Sequence, residues 1–174
     1  MNGSKVEEFE RRFTDFHDVK YCLGVTNGTH AIESIKIYSG MEELLKQLTT
    51  DGYKCALCTG EDRTRTLEIL NGLMLREYFE TVVCSDDVDK PKPYPDSLVL
   101  AMNNMGIKPD NAVMVGDARN DILCAISAGV KIIAVTWGDV SKEVLEREYP
   151  NITVNTVDEL SIAIKRLIGN IKVC

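Results

Sequence analysis

The stretch AVMVGDARNDILCAISAG, residues 112–129, contains the change of pattern that decides the fold. Its first half is an apolar run that ends at Gly116 and Asp117. Its second half repeats apolar residues at helical spacing and ends at Gly129, a residue type that commonly follows a helix. A buried strand followed directly by an amphipathic helix is a unit of an α/β sheet. The pattern therefore predicts a strand, a turn and a helix.

The same alternation runs from about residue 20 to the end of the chain. The apolar runs predicted as strands are KYCLGVT (20–26), YKCALCT (53–59), TVVCS (81–85), AVMVGD (112–117), KIIAVTW (131–137) and ITVNT (152–156). The helical patterns are MEELLKQLTTDG (41–52), RTRTLEILNGL (63–73), PDSLVLAMNNMG (95–106), NDILCAISAG (120–129), SKEVLEREY (141–149) and DELSIAIKRLIG (158–169). Glycines predicted to follow the first four helices are Gly52, Gly72, Gly106 and Gly129. This alternation predicts an α/β, Rossmann-like, three-layer αβα fold with a central, mainly parallel sheet.

Composition narrows the functional classes. A chain of 174 residues with 44% hydrophobic content predicts one globular domain with a single sizeable core. Lys and Arg number 20 against 27 Asp and Glu, so the net charge of −7 argues against a nucleic-acid partner. Neither a signal peptide nor an apolar run of about 18 residues is visible, which predicts no membrane contact and a cytoplasmic location. The pattern does not indicate an oligomeric state.

The six cysteines are scattered, and most lie inside apolar runs, so we interpret them as reduced core residues. Cys55 and Cys58 form a C-x-x-C pair, which is a spacing typical of zinc and redox sites. They lie in a predicted strand with no second pair and no neighbouring histidine. A structural role is therefore favoured.

Candidate functional residues follow the carboxyl ends of the predicted strands, where α/β sheets carry their chemistry. Asp117 ends one strand, and Asp121 lies in the first turn of the next helix, so both carboxylates can face one pocket. Two such oxygen ligands suit Mg²⁺, although Asp121 could equally serve only to favour the helix dipole. Thr59 and Gly60 begin another helix and could cradle a phosphate, or Thr59 could be a simple cap.

The proline-rich segment KPKPYPD (90–96) supplies a lysine on a stiff backbone. A lysine held in this way can balance clustered carboxylates and phosphate oxygens. A solvated proline turn is an equally good interpretation of the segment alone.

Taken together, these three motifs resemble the haloacid dehalogenase superfamily of phosphatases over about residues 37 to 140. The resemblance implies that Thr59, Gly60 and Lys92 bind phosphate, that Thr59 and Lys92 are catalytic, and that Asp117 and Asp121 hold Mg²⁺. Lys92 is preferred to Lys90 because KPYPD matches the form K-P-x-P-D. The subgroup that it resembles most is phosphoglycolate-phosphatase-like and associated with aminohydroxybenzoate synthesis. A small phosphorylated metabolite is the implied substrate.

The resemblance fails at the family's first motif, D-x-D-G-T. The stretch GVTNGT (24–29) places Val25 at the nucleophile and Asn27 at the general acid and base. Valine has no lone pair with which to attack phosphorus, and an amide does not shuttle protons. The helical cap domain that related phosphatases insert shortly after this motif is also expected to be missing.

Residues 6–34 instead resemble the start of a pyridoxal-phosphate-dependent aminotransferase of the sugar or aminohydroxybenzoate type. Residues 1–36 are therefore predicted to supply a helix and the central strand, and residues 37–174 to form the phosphatase-like core. Two functions stay open: a Mg²⁺-dependent phosphatase that is inactive or strongly impaired, and a non-catalytic domain that binds metal, phosphate or a partner or is a gene-fusion relic. A complete pyridoxal phosphate enzyme does not fit in 174 residues.

Overall fold

The computed structural model describes residues 38–168 of the chain. Its five strands are β1 (Ala56–Cys58), β2 (Thr81–Val83), β3 (Val113–Gly116), β4 (Lys131–Val135) and β5 (Ile152–Val154). Its six α-helices are α1 (Met41–Thr50), α2 (Arg63–Gly72), α3 (Asp96–Met105), α4 (Arg119–Ala128), α5 (Lys142–Glu146) and α6 (Val157–Ile168). Every predicted element in this part of the chain is present, and the predicted α/β class is confirmed.

Strand β4 shows how the layers arise from the sequence. Because successive side chains of a strand point to opposite faces, Ile132 packs with α3, α4 and α5 while Ile133 packs with α1 and α6. Both isoleucines are fully buried. Burying one such side chain contributes about 1.5–3 kcal/mol relative to leaving it exposed. The continuous apolar run of β4 thus covers both faces of the sheet and produces the helix–sheet–helix arrangement.

The predicted single sheet is found in two parallel parts among residues 38–168. Strands β1 and β2 form one part, and β3, β4 and β5 form the other in that order. Within the described residues, no backbone ladder joins β1 to β3. The strand predicted at residues 20–26 lies outside the described residues. Val115 of β3 is 39% exposed, which is unusual for an apolar residue of an inner strand.

Three of the four predicted glycine positions are correct, and one is wrong. Gly106 and Gly129 take left-handed φ angles of 67° and 68° directly after α3 and α4, and Gly52 is left-handed after α1. Gly72, however, is the last residue of α2, and Met74 takes the positive φ of 56°. The buried Leu75 donates its N–H to Leu70 O, which places the left-handed residue immediately before it.

None of the helices in residues 38–168 is both long and apolar enough to cross a bilayer.

Candidate functional site

The candidate site lies where Lys92 joins the carboxyl ends of the two sheet parts. Its Nζ donates to the carbonyl oxygen of Cys58, the last residue of β1, at 3.1 Å. The same nitrogen donates to Asp121 Oδ1 at 2.6 Å. Lys92 is only 19% exposed and Asp121 only 8% in their side chains, so the pair is largely withdrawn from water. Lys92 and Asp121, which are far apart in sequence, are therefore in direct contact.

Asp121 is fixed by the start of α4. Its Oδ2 accepts the N–H of Ala118 at 3.1 Å, which satisfies one of the free amide groups at the helix start. A Cβ placed on Gly116 would lie 2.4 Å from the Cβ of Asp121, so only glycine fits at the end of β3. The strand end and the helix start therefore determine where this carboxylate points. Asp121 therefore also accepts a capping hydrogen bond at the helix start.

Asp117 is more open than Asp121 but is closely approached by another loop. A Cβ on Gly138, which follows β4, would lie 2.0 Å from Asp117 Oδ2, so the backbone at Gly138 lies against this carboxylate. Desolvation by the surrounding protein, followed by repulsion from Asp121, raises the pKa of Asp117. The carboxylate of Asp139 adds to the repulsion, and Lys92 opposes it.

Thr59 and Gly60 begin a turn that leads into α2. The N–H of Thr59 donates to Val83 O at 2.9 Å, and its Oγ1 accepts the N–H of Glu61 at 3.1 Å. The Thr59 hydroxyl proton can still be donated to a bound anion. Gly60 is exposed and has no side chain to obstruct an approaching ligand. Within residues 38–168, no hydrogen bond joins Thr59 or Gly60 to Lys92, but Lys92 reaches the carbonyl immediately before Thr59.

The donor set fits Mg²⁺. Asp117 presents an open carboxylate next to Asp121, and each oxygen of Asp121 keeps a lone pair beyond its present hydrogen bond. Mg²⁺ usually takes one or two protein carboxylates and keeps several waters, so these two residues suffice. After desolvation, repulsion from Asp121 and Asp139 contributes to the raised pKa of Asp117, and a bound cation would relieve that repulsion.

A second acidic group lies at the end of β2, where Cys84, Asp86 and Asp87 bring potential ligand atoms together. Its geometry alone resembles a metal site. However, the Arg63 guanidinium contacts both oxygens of Asp87 and holds the pKa of that carboxyl below its usual value. A thiol is also a poor ligand for a hard cation. Arg63 already supplies the positive charge here.

The C-x-x-C pair has the structural character that the sequence favoured. Cys55 and Cys58 are free thiols, and burial raises the pKa of both, that of Cys58 to about 11. Both are therefore protonated at neutral pH, whereas zinc and redox sites need thiolates. Cys58 Sγ instead lies 3.6 Å from Ser97 O as a weak donor.

Sequence reasoning missed Gly138, Asp139 and Arg63. Asp139 and Gly138 follow β4, so the strand-end rule that selected Asp117 could have selected them too. No comparable signal identified Arg63, because its partner is reached only when the turns after β1 and β2 come together.

Comparison with known proteins gives one family. The family model described as haloacid dehalogenase-like hydrolase matches residues 4–135. The match thus includes the whole of the segment 6–34 whose sequence resembles an aminotransferase start. Pyrophosphatase PpaX of Bacillus cereus is 34% identical over 161 residues, which are 92% of this chain and 69% of that protein. Phosphoglycolate phosphatase 1 of Pseudomonas aeruginosa is 32% identical over 132 residues, which are 76% of this chain but only 48% of the relative.

Solved structures give the same result. A predicted phosphatase of Clostridium acetobutylicum matches with a TM-score of 0.71 and 27% identity, over 94% of this chain and 82% of that one. A hydrolase of Pseudomonas syringae matches with a TM-score of 0.73 over 80% of this chain and 64% of that one. At 24% identity, the second likeness is evidence of fold alone.

Proposed function

Because the chain belongs to the haloacid dehalogenase-like hydrolase family, we propose that it is a phosphatase-type domain that binds Mg²⁺ and phosphate but hydrolyses phosphomonoesters very poorly. The observation that carries the binding half is the contact of Lys92 with both Asp121 and the end of β1. This contact places the Lys92 ammonium next to Asp121 and to the start of the turn, at Thr59 and Gly60, that we propose binds phosphate. The observation that carries the catalytic half is Val25 in place of an attacking carboxylate.

In this proposal Lys92 balances negative charge, and Thr59 and Gly60 donate hydrogen bonds to phosphate oxygens. Asp117 binds Mg²⁺ directly, and Asp121 supports the metal from the start of α4. Bound Mg²⁺ would neutralise charge on the phosphate oxygens. Lys92 would keep the Asp121 side chain oriented whether or not a ligand is present, because their contact exists in the protein alone.

We propose a small phosphorylated metabolite as the ligand. The relatives are a pyrophosphatase and a phosphoglycolate phosphatase, so both act on small phosphorylated compounds. Because the chain spans only 48% of the second relative, we transfer the phosphate-binding class and not the substrate. A missing cap domain would leave the mouth of this site open to small ligands.

We further propose that Tyr21–Thr26 fills the space between β1 and β3. Support comes from the absence of a ladder between β1 and β3 within residues 38–168 and from the exposure of Val115. An extended segment in that space would complete the backbone hydrogen bonding of both inner edges. Val25 and Asn27 would then stand next to Lys92 and Asp117, whatever the origin of residues 1–36.

The catalytic half predicts almost no turnover. With p-nitrophenyl phosphate and Mg²⁺, we expect the parent protein to stay within about tenfold of the uncatalysed rate, because the loss of a nucleophile removes most of an enzyme's rate enhancement. Release of p-nitrophenol measures it directly. Robust turnover that disappears in Asp117→Asn would contradict the proposal and favour an active phosphatase with another nucleophile.

The binding half predicts stabilisation by ligands. A ligand at 100 times its Kd raises the free energy of unfolding by about 2.7 kcal/mol, so millimolar Mg²⁺ and inorganic phosphate should raise the melting temperature. Asp117→Asn should lose the Mg²⁺ effect. Asp110→Asn, the same change at an exposed position before β3, should keep it. If the parent protein shows no shift with either ligand, the domain is a non-binding relic.

A further inference from the structure

The turn that carries Thr59 and Gly60 is tied to the turn that follows β2. Ser85 donates its N–H to Glu61 O at 3.0 Å, and Arg63 donates its N–H to Asp86 Oδ1 at 3.1 Å. These two bonds hold the backbone just before α2 against residues 85 and 86. These bonds therefore restrict the conformation of the turn that carries Thr59 and Gly60.

The side chains of Arg63 and Asp87 add a second set of bonds between the same two turns. Arg63 Nε donates to Asp87 Oδ1 at 3.1 Å, and Nη2 donates to Asp87 Oδ2. Nη2 also donates to Val82 O at 3.1 Å. Asp87 Oδ2 in turn accepts the N–H of Cys84 at 2.7 Å. The fork of the guanidinium thus connects the first residue of α2 to Val82 in β2 and to Asp87 at the end of the turn that follows this strand.

We propose that Arg63 and Asp87 are positioning residues that fix the Thr59–Asp62 turn for anion binding. This inference rests on the proposed function, in which that turn donates to phosphate. Thr59 and Gly60 have no bond to Lys92 among the described residues, so their position relative to the lysine depends on what holds the turn. Its attachments are the Thr59–Val83 and Ser85–Glu61 backbone bonds and the contacts of Arg63.

A planar, two-pronged cation is needed at position 63. Arginine can contact both oxygens of one carboxylate while reaching a carbonyl, whereas the ammonium of lysine is a point charge. The need for Arg63 also explains why potential ligand atoms of Cys84, Asp86 and Asp87 lie close together. We interpret this group as a binding site for Arg63 and not for a metal ion. Asp86 accepts the main-chain N–H of Arg63, and Asp87 accepts the N–H groups of its guanidinium.

The test is amide hydrogen exchange, measured by NMR in Arg63→Lys and in the parent protein. The amides observed are those of Glu61 and Ser85. We expect both amides to exchange about tenfold faster than in the parent, because they close the two turns that the fork holds together. The amide of Ile133 in β4 reports global opening and should change less. The matched control is Glu80→Gln, which breaks the Lys54–Glu80 pair next to the same two strands at their other ends. In Glu80→Gln, the exchange rates of the Glu61 and Ser85 amides should stay within about twofold of those in the parent.

Affinity for inorganic phosphate, measured by calorimetry, supplies the functional readout. We expect the Kd to rise at least fivefold in Arg63→Lys and in Asp87→Asn, and to stay unchanged in Glu80→Gln. Unchanged exchange in a folded Arg63→Lys variant overturns the inference. So does faster exchange with phosphate affinity equal to that of the parent. A parent protein that binds no phosphate overturns the proposed function, and the exchange comparison still decides whether the fork holds the turn.

Discussion

Val25→Asp combined with Asn27→Asp is expected to raise hydrolysis of p-nitrophenyl phosphate by about 10²–10⁴-fold over the parent protein, the range that a placed acid and base commonly contributes. The physical reason is that the two changes supply an oxygen nucleophile and a proton donor at positions where valine and asparagine offer neither. Lys92, Asp117 and Asp121 would then act on a reacting centre rather than on a bound ligand. The measurement is the initial rate with saturating Mg²⁺.

The matched control is Val25→Asn with Asn27→Asp. Asparagine has nearly the size of aspartate, and its amide is not a nucleophile, so this pair should stay near the parent rate. Adding Asp117→Asn to the active pair should remove the gain. If the active pair melts like the parent and stays inactive, Tyr21–Thr26 does not lie at the site. Inactivity combined with tighter Mg²⁺ binding would instead assign the defect to the predicted absence of a cap domain.

Much of the fold could be predicted because its strands and helices carry strong local signals. The apolar run 132–135 of β4 is buried throughout, and the pattern of α1 has one buried face, so each element was visible within its own segment. Of the four predicted glycine positions, the one that was wrong, Gly72, was determined by the backbone hydrogen bond from Leu75 to Leu70. Local residue preference indicates a glycine after a helix, but burial of a nearby leucine decided this case.

The site could be predicted less completely. The sequence order of Thr59, Lys92, Asp117 and Asp121 was enough to select them, and the direct contact between Lys92 and Asp121 agrees with that selection. Their assigned roles remain predictions. The close approach of Gly138 to Asp117 could not be predicted, because it depends on the way the turn after β4 folds over the end of β3. Contacts between separate strand ends leave no periodic pattern in a sequence.

Replacement of Lys92 by methionine is expected to lower the free energy of unfolding by about 3–5 kcal/mol, the usual cost of removing one partner from a buried ion pair. Methionine keeps most of the length of the lysine and removes its charge together with its hydrogen bonds to Cys58 O and Asp121 Oδ1. The Asp121 carboxylate, which is 8% exposed in its side chain, would then have only the Ala118 N–H as a hydrogen-bond partner among the described residues. The loss should appear as a lower midpoint of urea unfolding at unchanged slope.

Lys142→Met is the matched control, because Lys142 and Glu146 form a pair whose side chains are 45% and 51% exposed, with the charged atoms 3.8 Å apart. An exposed pair contributes at most about 1 kcal/mol, so this variant should differ little from the parent. Combining Lys92→Met with Asp121→Leu should restore part of the stability, since no charge is then left buried. If Lys92→Met costs no more than Lys142→Met, water already solvates Asp121. The Lys92–Asp121 contact would then contribute no more than an exposed ion pair, and the charge arrangement proposed for this site would be wrong.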